Sequence, residues 1–459
     1  MFPRHLLAYA WLSGAVFIAS MVRGEDPPPS PAPAPPAARA WSEIRGETFT
    51  LVWQLVYESY FDPTFGGVDW LAVRDRYAAE TAQATDQTQL RAVLRRMLAE
   101  LHSSHFGLLP RDAAVFHPRE RTRIGTVGLE VAWLDEHAVV CRVQPESPAA
   151  KADLHPGDVL TEVDGARLDR LADALASSDY RGARRAAYLA QTVNGRLHPR
   201  VGQPVKLTVR TGDAPAHGLE LKAVPHPGDW SEPIGDFPSS PLDIEARRDD
   251  DGIAYLRFNS FSPRLMKPIR ALLAKLQPED GLIIDLRGNP GGVLGMANGL
   301  CGWLSKDEFS LGRMQMRQGM IGFVVTPQEG AFTGPIAVLI DSRSASTSEV
   351  LAAGLQEAKR ARIFGERSAG AALPSQFRAL PTGDLFQYAV ADLQTPGGWA
   401  LEGRGVQPDE PVSIHASDLA AGRDAVVLAA RTWIARKRPT ATPSAIAAPP
   451  AAGANSASP

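Results

Sequence analysis

Apolar positions recur with a helical period over the first third of the chain. Trp53, Val56, Tyr57 and Tyr60 fall three and four residues apart, the spacing of one buried helix face. "FDPTFGGVDW" breaks the period with Pro63, Gly66 and Gly67. Leu90, Val93, Leu94, Met97, Leu98 and Leu101 restore it as far as "HSSHFG". The pattern predicts a helical domain over residues 39–123. Residues 124–226 change period. "GTVGLEVAW", "HAVVCRVQ" and "QPVKLTVRT" are short strand-like runs, with turns at Pro156-Gly157 and Asp164-Gly165. Residues 168–198 look helical and read as an insertion in this β unit. Residues 227–437 alternate again. "IAYLRFNSF", "GLIIDLRG", "GPIAVLID" and "RARIFGE" read as strands. The second is apolar throughout, as suits a strand covered on both faces. "LFQYAVADLQTP" reads as a strand and turn, and "DAVVLAARTWIAR" as a terminal helix. Strand–helix–strand order predicts an α/β core with parallel pairings and crossover helices.

The ends differ in composition. Arg4 and His5 precede an apolar run from Leu6 to Met21, the layout of a secretory signal peptide over residues 1–24. The run is short and interrupted for a membrane anchor, so no stable span is expected after cleavage. Residues 25–38, "EDPPPSPAPAPPAA", form a Pro-rich tether, and residues 438–459 a disordered tail. Export to the periplasm or beyond is the reading. The net charge of -3 suggests no nucleic-acid partner. Cys141 and Cys301 lie far apart and read as two separate thiols. No His, Cys or Asp spacing suits zinc and no H-E-x-x-H occurs, so neither a metal nor a cofactor is expected.

Two loops carry candidate chemistry, since α/β sheets gather ligands past the C-terminal ends of their strands. After "LIID" comes Leu286-Arg287-Gly288-Asn289-Pro290-Gly291-Gly292, whose glycine pair can aim amides at an oxyanion. After "IAVLI" comes "DSRSASTSEVLAAGLQEAKRARIFGERSAG". Ser346 and Glu349 fit an S-x-x-E capping box, so Ser346 is either a cap or a nucleophile. In the second case the Thr347 amide, at a helix start, is a second oxyanion donor. A serine nucleophile needs a base. Of the ten histidines, His105 in "LHSSHFG" is the most interesting. Asp285 and Arg287 are expected to pair locally, and Ser342, Ser344 and Ser348 to serve as turn and cap residues.

The β unit, with "LHPGDVL", resembles a PDZ domain. A PDZ-like unit binds extended peptides or chain termini by strand addition. Residues 40 to 435 as a whole resemble the S41 peptidases, the C-terminal processing and tricorn-like serine proteases. The resemblance rests on "YFDPTFGGVDW", the PDZ-like unit, "DLRGNPGG", the serine segment and "LEGRGVQPD", in the family's order. It implies a ClpP/crotonase-like protease core with an N-terminal helical domain and an inserted PDZ-like β domain. One branch of the family pairs the serine with a lysine, but here that position falls on Ala371, and Lys359 lies elsewhere. The tricorn-like branch uses serine, histidine and glutamate with a second serine. This implies Ser346 as nucleophile, His105 as base, Ser104 beside it, and Glu402 acting through Ser104 or directly on the imidazolium. Gly291 or Gly292, with Thr347, would form the oxyanion hole. The implied activity is a serine endopeptidase acting on unfolded proteins or peptides, selected through their C-termini. The alternative is a non-catalytic binding protein for peptides or small apolar ligands on the same fold. Oligomeric state stays open.

Overall fold

The computed structural model describes residues 39–175 and 180–438. The segments read as signal peptide and tether, and the tail after its first residue Arg438, lie outside the described residues.

Three helices, Trp41–Ser59, Trp70–Gln83 and Gln87–Ala99, open the described chain. Asp69 and Asp86 cap the second and third by accepting from the amides of Ala72 and Gln89. Their inward faces bury Val52, Val56, Val73, Leu94 and Met97. The same core takes in Leu373, Leu380, Phe386 and Tyr388 from far along the chain. The strand Gly107–Leu109 pairs antiparallel with Leu385–Ala389, Leu108 opposite Phe386. Asp384, only 2% exposed, accepts from both Arg91 and Gln87. The helical region is therefore sewn to the α/β core, and His105 sits two residues before the seam.

The PDZ-like unit is an antiparallel sheet in the order Leu129–Leu134, His137–Val143, Val159–Val163, Pro204–Arg210, His217–Lys222. The region read as an insertion supplies two helices, Leu168–Ala174 and Gly182–Arg196. The second is integral to the unit: Leu189, Ala190 and Val193 pack into one core with Val131, Val140, Leu160 and Val205. Its Asn194 side chain also accepts from Val131 N–H and donates to Val131 O. That helix buries the face of the sheet that would otherwise stay bare.

The core sheet runs Ile244–Arg248, Ile253–Phe258, Gly281–Asp285, Ile336–Ile340, Arg362–Gly365, Glu410–Pro411, with every pairing parallel except the first. One face packs Leu256, Leu282, Ile284 and Val338 beneath helices Met266–Leu273, Leu294–Gly302 and Thr347–Glu357. The other packs Ile283, Ala337 and Leu339 beneath Ala425–Lys437. Both faces of the central strands are covered, which is why residues 282–284 and Ile336–Ile340 read as unbroken apolar runs. "LFQYAVADLQTP" differs from its reading as one strand. It breaks at Val390, whose N–H donates to Pro374 O. The halves Leu385–Ala389 and Ala391–Gln394 join different sheets. Cys141 and Cys301 are free thiols.

Candidate active site

The glycine loop and the serine loop leave neighbouring parallel strands at their C-terminal ends. Side chains sew them together. Ser344 Oγ donates to Leu286 O (2.8 Å), Ser348 Oγ donates to Asn289 O (2.9 Å), and Gly288 N–H donates to Asp341 Oδ1 (3.1 Å). Ser344 and Ser348 thus cross-link two loops rather than merely shaping one turn. Asn289, fully buried, completes the seam by donating to Phe258 O and accepting from Gly291 N–H (2.9 Å).

Ser346 caps the helix Thr347–Glu357 with φ 54° and ψ -120°, a backbone region that non-glycine residues occupy only when their surroundings hold them there. Its N–H is held by Ala371 O at 2.8 Å and by Glu349 Oε2 at 3.0 Å. This is the carboxylate half of the expected capping box. The expected capping box is present, and the Glu349 amide also reaches the Ser346 carbonyl at 2.8 Å. Glu349 is fully buried and also accepts from Ser368 Oγ, Gly370 N–H and Ala371 N–H. Burial pushes its carboxyl up to about 7, against these donors, which pull it down.

The residue after Ala371 ties the serine loop to the second carboxylate. Ala372 N–H donates to Glu402 Oε2 (3.0 Å). Glu402 also accepts from Ser104 Oγ (2.7 Å) and Ser104 N–H (2.8 Å). Ser104 Oγ lies 2.7 Å from His105 Nδ1. A hydroxyl has one proton, and here it goes to the carboxylate. It therefore shows His105 a lone pair, and Nδ1 must carry the hydrogen. Nε2 is left with a free lone pair, the form a general base requires. Glu402 thus reaches the imidazole through Ser104. Burial, and then the charge of Arg184, lower the His105 pKa from 6.5 to about 4. Arg184, on the helix Gly182–Arg196, stands 3.5 Å from Glu402 Oε1. Among the described residues no hydrogen bond joins Ser346 to His105. The two are linked through the backbone of Ala371 and Ala372.

The two glycines differ. Gly291 N–H is taken by Asn289 Oδ1, whereas among the described residues neither Gly292 N–H nor Thr347 N–H has an acceptor. A Cβ on Gly291 would stand 2.8 Å from Ser346 Cβ and 2.9 Å from Thr347 N, so glycine keeps the space beside the serine open. Ala371 brings only backbone groups here. Lys359 lies beyond the far end of the serine helix, more than about 15 Å along its axis.

Residues 252–412 match peptidase family S41. That segment is the S41 peptidase domain of the chain. Residues 43–99 of this S41 peptidase match the tricorn protease C1 domain and residues 139–177 a PDZ domain. Its sequence is 27% identical over 383 residues to the carboxyl-terminal-processing protease of Synechocystis sp., covering 82% of this chain and 83% of that protein. Two solved structures share its fold. The photosystem II D1 C-terminal processing protease gives a TM-score of 0.55 at 24% identity, covering 80% of this chain and 93% of that one. Mature CPAF gives 0.60 at 16% identity, covering 86% and 96%. The S41 peptidase is thus a serine-type peptidase with a helical N-terminal region and a PDZ domain. Among its described residues no helix is long and apolar enough to cross a membrane, and no cluster of His, Cys, Asp and Glu could hold a metal ion.

Proposed function

We propose that this S41 peptidase is an endopeptidase of unfolded or terminal polypeptide segments, with Ser346 as nucleophile and His105 as general base. The observation that carries the reading is the hydrogen-bonded run His105–Ser104–Glu402, anchored through Ala372 to the loop that holds Ser346. Ser346 Oγ attacks the scissile carbonyl while His105 Nε2 takes its proton. The imidazolium is steadied by Ser104 and, through it, by Glu402. The oxyanion is received by the amides of Gly292 and Thr347, at the positive end of the serine helix. His105 then protonates the leaving amine, and a water releases the acyl group by the same steps in reverse order. The hydrogen bond between Ser346 and His105 forms when substrate is bound, as unoccupied sites commonly tighten on binding. The PDZ domain recruits an extended chain end by strand addition, in keeping with the processing proteases it is similar to.

The test is digestion of an unfolded protein with products read by mass spectrometry, alongside folded Ser346→Ala and His105→Ala variants. Loss of cleavage in both is expected. Undiminished cleavage by Ser346→Ala would remove the nucleophile. The separation of Ser346 from His105 is the one observation that fits a non-catalytic binding protein, and a fully inert wild type would favour that reading.

A further inference from the structure

Glu130 belongs to the PDZ domain, on the strand Leu129–Leu134, yet its carboxylate serves the catalytic core. Oε1 accepts from Arg343 Nη1 at 2.8 Å, and Oε2 accepts from Arg257 Nη2 at 2.6 Å. Arg343 lies three residues before Ser346. It grips Asp341 Oδ2 through Nε (2.9 Å) and Nη2 (2.6 Å). The other oxygen of Asp341 accepts from Gly288 N–H in the glycine loop. Gly288, at φ +74°, has no room for a side chain: a Cβ there would collide with Glu130 Oε1 and stand 3.3 Å from Arg343 Nη1. One carboxylate thus covers the glycine loop and holds the serine loop's arginine. A cavity of about 160 Å³ opens at this junction, with Glu130, Cys141, Arg257, Asp341 and Arg343 among its lining residues. Burial would raise the Glu130 carboxyl, but Arg257, Arg343 and Arg142 hold it down at about 2, so it is ionised throughout the working range.

We propose that Glu130 is a positioning residue of the peptidase site, fixing the spacing between the Ser346 loop and the Gly292 loop through Arg343 and its seat over Gly288. The inference rests on the reading of Ser346 as nucleophile. It makes the PDZ domain a structural part of the oxyanion site as well as a substrate-recruiting module. A small error in that spacing misplaces Ser346 Oγ relative to the amides of Gly292 and Thr347, which slows acylation more than it weakens binding.

The experiment follows covalent labelling of the full chain by a fluorophosphonate probe, together with kcat and KM on a peptide built around a mapped cut. Glu130→Gln should lower the labelling rate and kcat roughly tenfold to a hundredfold with KM nearly unchanged. Glu130→Asp, too short to hold both arginines, should fall between wild type and Glu130→Gln, and it carries the test if Glu130→Gln does not fold. Adding Arg343→Gln to Glu130→Gln should cost less than the sum of the two single changes, because both break the link between Glu130 and Arg343. The control is Asp135→Asn, which removes the ion pair to His415 (3.1 Å) between domain and core without touching either loop. Equal loss in Asp135→Asn would overturn the proposal in favour of general domain docking, and so would full labelling of Glu130→Gln. A wild type that is not labelled at Ser346 would defeat the nucleophile assignment itself, and with it this inference.

Discussion

The acid limb of kcat/KM tests the protonation state assigned to the base. The His105 ring sits at about 4 rather than 6.5, first because burial opposes its charge and second because Arg184 repels a proton. At roughly 1.4 kcal/mol per pH unit, the displacement is on the order of 3 kcal/mol in favour of the neutral ring. Since kcat/KM reports the free enzyme, activity should persist as pH falls through 6.5 and decline only near 4. Arg184→Ala should move the limb upward by less than half of that distance, because burial is the larger cause. The same change removes a cation 3.5 Å from Glu402 without touching the Ser104 link. Glu349, pushed up to about 7, is the other group able to mark the profile. Glu349→Gln should erase any inflection near 7 and leave the acid limb in place. The assay is kcat/KM on one quenched peptide from pH 3.5 to 9 in constant-ionic-strength buffers. An acid limb at 6.5 or above in both the wild type and Glu349→Gln would refute a buried neutral base. A limb unmoved by Arg184→Ala would refute the electrostatic role of that arginine.

Four further outcomes follow. Ser104→Ala cuts both links between His105 and Glu402 and should lower kcat about a hundredfold or more while KM and the melting temperature change little. Gly291→Ala places a methyl 2.8 Å from Ser346 Cβ at φ +103° and should abolish fluorophosphonate labelling in a protein that still shows native circular dichroism. Arg91→Ala strips the ion pair from Asp384, 2% exposed, and should cost about 3 kcal/mol in urea unfolding, with Arg91→Lys milder. Glu349 has a folded-state pKa above its ordinary 4.5, so its contribution to stability is full below 4.5 and is lost as pH rises through about 7. The stability of the wild type relative to Glu349→Gln, from urea unfolding, should therefore fall between pH 4.5 and 8.

What the sequence discloses follows from which forces leave a mark on side-chain identity. The strands Gly281–Asp285 and Ile336–Ile340 were legible because covering both faces demands apolar residues along them, up to Asp285 at the end of the first. The helix Gly182–Arg196 read as an insertion because its buried positions, Leu189, Ala190 and Val193, are few, and nothing in their spacing says which sheet they cover. The change of sheet at Val390 leaves no mark either, since alternation runs on across it. Within the site, Ser346, His105, Ser104 and Glu402 were named by motif, and the structure joins the last three by hydrogen bonds. The links through Ala371 and Ala372 are made by backbone groups, and any residue there would carry them. Arg184 and Glu130 come from the PDZ domain, and their relation to the site exists only in three dimensions. The choice between Gly291 and Gly292 turned on Asn289, whose side chain occupies one amide and leaves the other free.

The gap between Ser346 and His105 raises the question of which part moves to close it. A swing of the whole helical region would expose Leu108, Leu373, Leu380, Phe386 and Tyr388, all in one core with its helices. At about 1.5–3 kcal/mol for each buried side chain, that motion costs on the order of 10 kcal/mol, comparable to the stability of an entire domain. It would also separate Asp384 from Arg91 and unzip the pairing of Gly107–Leu109 with Leu385–Ala389. The His105 side is therefore fixed, and its ring is further held by Ser104. The Ser346 backbone is fixed as well, by Ala371 and Glu349. Under the proposed mechanism the adjustment falls to the Ser346 hydroxymethyl group, turned as a bound carbonyl accepts the amides of Gly292 and Thr347. On that reading, closure of the site is a local event set by substrate. Variants that loosen the helical region should lose activity through misplacement of His105, without gaining a faster-closing site.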